Sequence, residues 1–149
     1  MNDILRTIHE RRSTRAFKDK PVSFEVEKEL ISATLRAPTA GNMMLYSIIK
    51  IDDPDLKIKL SQSCDNQPFI AKAPLLLIFL ADYQRWYDFF LRSGAFELSQ
   101  QRSMELRKPD VGDLMLAVND TLIAAQTAAI AAEGLGLGTC YVGDILEKY

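Results

Sequence analysis

The chain has 149 residues, 48% of them apolar and 26% charged, enough for one folded domain with a substantial core; this argues against disorder. A net charge of −2 gives no general pull towards nucleic acid or an anionic membrane. The first twenty residues run the other way, with six Arg or Lys against three acids, so positive charge is local and suits a small anionic ligand better than a polyanion.

The N-terminus lacks an apolar signal core, and Asn2 is placed to cap a first helix carrying Ile4, Leu5 and Ile8 on one face. That helix ends near Arg11 and opens into Arg11-Arg12-Ser13-Thr14-Arg15. A guanidinium is permanently charged and grips a phosphate through two parallel hydrogen bonds, and the hydroxyls of Ser13 and Thr14 add short-range donors. On charge alone the stretch reads more readily as a solvated basic loop than as a site. Lys18-Asp19-Lys20-Pro21 is a turn signal, and Ser23 caps a second helix whose apolar stripe is Phe24, Val26, Leu30, Ile31, Ala33 and Leu35. Pro38 stops it, and Pro38-Thr39-Ala40-Gly41-Asn42 forms a loop of small residues. It serves either as a plain turn or as backbone that lets a flat ligand come close.

Tyr46 to Ile51 reads as a strand, and Asp53-Pro54 opens a third helix. Asn66 to Ile70 is a short irregular or helical link containing Gln67, and Leu75 to Leu80 reads as a strand buried on both faces. The apolar run from Ala73 to Ala81 is too short to span a bilayer. Tyr83 to Lys108 divides into two helical pieces at Ser93-Gly94, its aromatic residues suited to packing more than to a ligand cage. Asp110 to Glu133 is the strongest helix signal, apolar nearly all round and rich in alanine, which predicts a long helix buried against more than one partner, either as a central helix or as a dimer seam. Asn119, Asp120 and Gln126 weaken a reading of it as a membrane span.

Gly134-Leu135-Gly136-Leu137-Gly138 ends that helix, Thr139 to Val142 reads as a strand, and Gly143-Asp144 turns into a helix start. A dinucleotide fingerprint is excluded, because its glycines follow a strand and precede a helix, and here the order is reversed. The turn Tyr141-Val142-Gly143-Asp144 is better placed to expose backbone amides to a ligand. Cys64 and Cys140 have no metal or redox spacing, and His9 is the only histidine, so a histidine zinc site or a His-dependent triad lacks material. The two cysteines read either as a disulfide or, as the preferred reading, as two buried thiols in a reducing cytosol, which places the protein in the cytoplasm.

Three motifs in order, Arg11 to Phe17, Ala37 to Asn42, and Gly134 to Gly138 leading to Tyr141-Val142-Gly143-Asp144, resemble the nitroreductase family of FMN-dependent oxidoreductases. The resemblance spans nearly the whole chain as one FMN-binding domain, 1–149. It implies an α+β fold with a mixed, mainly antiparallel sheet flanked by helices, and a homodimer holding FMN at the subunit interface. By motif, Arg11, Ser13 and Arg15, with Arg12 close by, would hold the FMN phosphate and ribityl chain. Pro38, Thr39, Ala40 and Asn42 would line the flavin, in the family commonly from the other subunit, and Gln67 would meet its polar edge. Tyr141, Val142, Gly143 and Asp144 would lie along the ring.

The resemblance further implies hydride transfer from NAD(P)H through FMN to a nitroaromatic, quinone or flavin acceptor. No nucleic acid, membrane, metal or protein nucleophile is implied, since the flavin carries the chemistry. Members of the family usually continue past the position of Tyr149 with a further strand, a helix and a basic phosphate contact. The implied alternative is therefore a folded, flavin-binding form without turnover.

Overall fold

The computed structural model describes residues 2–143. Local capping chemistry starts three helices where the sequence places them. The Asn2 side chain accepts the Ile4 N–H (2.7 Å) ahead of α1 (Asp3–Glu10), and Ser23 accepts that of Val26 (3.4 Å) ahead of α2 (Phe24–Thr34). Asp53 accepts the Asp55 N–H (2.9 Å), and Pro54 occupies the first turn of α3 (Pro54–Ser63), where its missing donor costs nothing. The link after α3 is a short helix, α4 (Pro68–Ala71). The aromatic segment forms α5 (Gln84–Arg92) and α6 (Ala95–Gln101), broken at Ser93-Gly94 as its sequence predicts. Trp86 packs against Phe89 and Phe90 at centroid separations of 5.6 and 5.7 Å, so these rings make a packing cluster rather than a cage.

The strands are β1 (Tyr46–Lys50) and β2 (Leu77–Ala81). They pair antiparallel: the Ile51 N–H reaches the Leu76 carbonyl (3.0 Å) at one end, and the Asp82 N–H reaches that of Leu45 (2.9 Å) at the other. β2 begins two residues later than its apolar run, and it is half-buried with Leu80 exposed, not covered on both faces. The predicted strand at Thr139 to Val142 is reduced to a single parallel bridge between Ser13 and Thr139. Two β-branched residues and a tyrosine after three glycines give the segment strand composition, but the described residues offer it only that bridge.

The long helix is α7 (Val111–Gly134). Its burial is one-sided. Ala117, Ala124, Ala125, Ala128, Ala129 and Ala132 are buried, while Val111, Leu114, Met115 and Leu122 are exposed. Small residues face inward because they allow backbone to approach closely, and the larger apolar side chains stand outward. α1 behaves similarly: Ile4, Leu5 and Ile8 share a face but remain exposed. Gly136 takes φ +76°, and the Leu137 N–H turns back to the Ala132 carbonyl (2.8 Å), closing α7.

The chain forms two compact units. Among the described residues the first contains 2–36, 49–78 and 126–143, with Leu30, Ile51, Cys64 and Ile70 buried. The second contains 37–48 and 79–125, and its core is Ala37, Tyr46 and Ala124 with Met44, Ile48 and Phe79 packed against them.

Candidate functional site

In the first unit the arginine stretch is fixed by its backbone. The Thr14 N–H donates to the Thr139 carbonyl (2.8 Å) within the Ser13–Thr139 bridge. Gly138 allows this approach: a Cβ there would lie 2.6 Å from Thr14 Oγ1 and 2.9 Å from its Cβ, too close for any side chain. The stretch is thus laid beside the segment that follows α7, and the side chains of Arg12, Ser13 and Arg15 stay exposed. Arg11 is half-buried, and its Nη1, like the Thr139 hydroxyl, is buried with no hydrogen-bond partner among the described residues.

A guanidinium nitrogen in that state leaves a charged donor unsatisfied, which costs far more than an exposed one. An anionic oxygen would satisfy it, so these residues fit a phosphate. Burial pushes the Tyr141 phenol above its ordinary pKa and the charge of Arg11 pulls it partway back, so that Tyr141 and Arg11 share one electrostatic environment. Arg15 stands over the Phe69 ring at 6.0 Å, a cation–π contact that orients it, and Phe69 also meets Phe17. Gln67 precedes α4, and its side-chain N–H₂ donates to the Cys64 carbonyl (2.9 Å). Val142 is half-buried and Gly143 exposed, and Asp144 lies outside the described residues.

In the second unit the loop carrying Pro38, Thr39, Ala40 and Asn42 is a single 3₁₀ turn, Ala40–Asn42. It holds an unusual backbone. Gly41, Asn42 and Met44 have φ of +56°, +56° and +52°, a region that costs a residue with a Cβ about 1–2 kcal/mol. Side chains from elsewhere in this unit grip it. Asp120, 3% exposed on α7, accepts the Ala40 N–H (3.1 Å) with one carboxylate oxygen and the Leu45 N–H (3.3 Å) with the other. Thr39 Oγ1 accepts the Met44 N–H (3.2 Å), Arg85 donates to the carbonyls of Met44 (2.5 Å) and Tyr46 (3.3 Å), and the Trp86 indole donates to the Met43 carbonyl.

Burial, and then the nearby Asp120 charge, push the Tyr46 phenol up. Asp82 is held below the usual carboxylate range, first by the Ser47 hydroxyl and further by the Arg85 backbone N–H and guanidinium. These grips escaped the sequence reading. Their only sequence signal is an aspartate in the middle of an alanine-rich helix, and its partners are 75 and 80 residues upstream.

The sequence residues are therefore gathered in two sets. Arg11, Ser13, Arg15, Gln67 and Tyr141 belong to the first unit, and Pro38, Thr39, Ala40 and Asn42 to the second. Cys64 and Cys140 are free, the first buried and the second half-buried.

The family model for the nitroreductase family matches residues 8–149, and the chain belongs to that family. An FMN reductase (NADPH) of Bacillus subtilis is 34% identical over 148 residues, covering 99% of this chain and 57% of the relative. An FMN reductase [NAD(P)H] of the same organism is 32% identical, covering 97% and 55%. Among solved structures, NfrA1 of B. megaterium superimposes with a TM-score of 0.80 at 33% identity, covering 95% of this chain and 55% of that one. The NADPH:FMN oxidoreductase of Vibrio harveyi, solved with NAD+, gives 0.78 at 28% identity, covering 95% and 56%. The chain spans just over half the length of these relatives. The likeness places its fold in the α+β class of the nitroreductases.

Proposed function

We propose that this chain is the FMN-binding part of an NAD(P)H-dependent oxidoreductase acting on nitroaromatic, quinone or flavin acceptors. The observation that carries the reading is the Arg11 guanidinium nitrogen that has no hydrogen-bond partner among the described residues, set in an arginine stretch that backbone pairing fixes against Thr139. Two relatives that align over almost the whole chain are named FMN reductases, which supports it. When bound, FMN supplies the redox chemistry, taking hydride from reduced nicotinamide and passing electrons to the acceptor.

The chain's own residues bind and orient. Arg11 and Arg15, with Arg12 near, offer charged forks to the phosphate, and Ser13 supplies a hydroxyl donor to the same group. Pro38, Thr39, Ala40 and Asn42 line the flavin held by the other copy of the chain. Gln67 presents the amide oxygen, left over from its bond to Cys64, to the polar edge of the ring. Tyr141, Val142, Gly143 and Asp144 run along the ring and offer backbone donors. A second copy of the chain covers the exposed Val111, Leu114, Met115 and Leu122 of α7, completing a homodimer that works in the cytoplasm.

The test is the absorbance spectrum of the purified protein before and after FMN is added, followed by NAD(P)H oxidation with menadione as acceptor. Flavin bands that stay with the protein through gel filtration, together with turnover above free FMN, are the expected result. Retained flavin without turnover selects the alternative of a flavin-binding form that is not an enzyme. Colourless protein that takes up no FMN overturns the proposal.

A further inference from the structure

We propose that Asp120 is a positioning residue for the flavin, acting through the loop 39–45; the assignment rests on the reading above that Thr39, Ala40 and Asn42 line the ring. The loop is costly on its own, since Asn42 and Met44 both sit at positive φ with a Cβ. A conformation of that kind persists only where its surroundings over-determine it, and here the largest constraint is a buried carboxylate. Asp120 spends one oxygen on each flank of the strained residues, Ala40 before them and Leu45 after them.

Burying a carboxylate in an alanine-rich helix carries a desolvation penalty, and no ion pair with Asp120 relieves it among the described residues. A neutral acceptor would satisfy a single N–H at lower cost. Only an ionised carboxylate presents acceptors alone to two inward-pointing N–H groups, because an asparagine would turn its own donor towards one of them. The charge is explained by what it holds. Opposite it, Arg85 and Trp86 hold the carbonyls of the same segment, so N–H and C=O groups are gripped by separate side chains.

Asp120→Asn keeps the size of the side chain and removes one of the two acceptors. Three measurements on the full chain test the assignment: amide hydrogen exchange of the protein without flavin, FMN affinity, and the visible circular dichroism of bound FMN. The expected result is exchange at Ala40 and Leu45 faster by about tenfold or more while the Ala124 and Ala128 amides of α7 keep their protection. FMN affinity should fall about tenfold, and the flavin dichroism should change shape at full occupancy. Arg85→Gln, which frees the carbonyl side from the exposed face of α5, should give the same pattern at smaller amplitude.

Faster exchange throughout α7 in Asp120→Asn makes the residue merely structural and overturns the assignment. So does FMN affinity within about twofold of wild type with unchanged dichroism. If the wild-type chain takes up no FMN, the parent reading falls and this assignment with it; if wild type binds and Asp120→Asn binds equally, this assignment alone falls.

Discussion

The two segments that carry the candidate ligand residues are built on opposite plans. The arginine stretch is held by its backbone, through one bridge to Thr139 and the close approach that Gly138 permits, and its side chains remain available. The loop 39–45 is held by the side chains of Asp120, Arg85 and Trp86, and its backbone is the strained and specific part. The difference matches what each would give a cofactor. A phosphate calls for long charged side chains on a fixed base. A flat ring calls for backbone and small groups at a fixed height.

Each plan fails in its own way. Gly138→Val is the largest expected perturbation, since the new side chain overlaps Thr14 and forces the bridge apart. Unfolding stability should fall by about 3 kcal/mol, measured by urea titration, and Thr14→Ala should recover part of the loss in the double variant. Losses that simply add would show that the overlap with Thr14 is not the cause. Arg15→Ala tests the opposite property, a side chain that serves the ligand more than the fold. FMN affinity, read by fluorescence titration, should fall by roughly 1.5–3 kcal/mol, while stability changes by less than about 1 kcal/mol, the size of its contact with Phe69. Equal loss in both would put Arg15 in the scaffold.

The smallest effect belongs to the start of α7, in the side-chain-held unit. Arg107 hydrogen-bonds the Asp113 carboxylate, and the Asp110 N–H adds a second donor, so Asp113 titrates below the usual carboxylate range. With the folded value depressed, the stabilisation is complete above the ordinary carboxylate pKa of about 4 and is lost as pH falls through the lowered value. Thermal unfolding followed from neutral to acid pH should show a small drop there that Arg107→Ala abolishes. A drop that survives in the variant would assign it to other carboxylates.

What was legible in the sequence follows from range. Asn2, Ser23 and Asp53 cap their helices through groups two or three residues away, so their sequence positions suffice. The alanine pattern of 111–134 marks a helix by itself, but which face is buried depends on neighbours, and the face taken inward is the small one. Thr139 to Val142 has strand composition, but a strand exists only with partners, and here the described partner is Ser13 alone. Asp120 illustrates the limit best. Its neighbours in sequence suggest only a polar interruption, while its function lies with amides in a loop that no periodicity connects to it.

Trp86 is the only tryptophan in the chain, and its indole is bonded to the Met43 carbonyl inside the strained loop while Phe89 and Phe90 shield its ring. The protein therefore carries its own optical label at the point where loop geometry matters. Its emission reports one site without the averaging that several tryptophans would bring. Release of Met43 would wet the indole and move that emission to the red, making the state of the loop visible without any added dye.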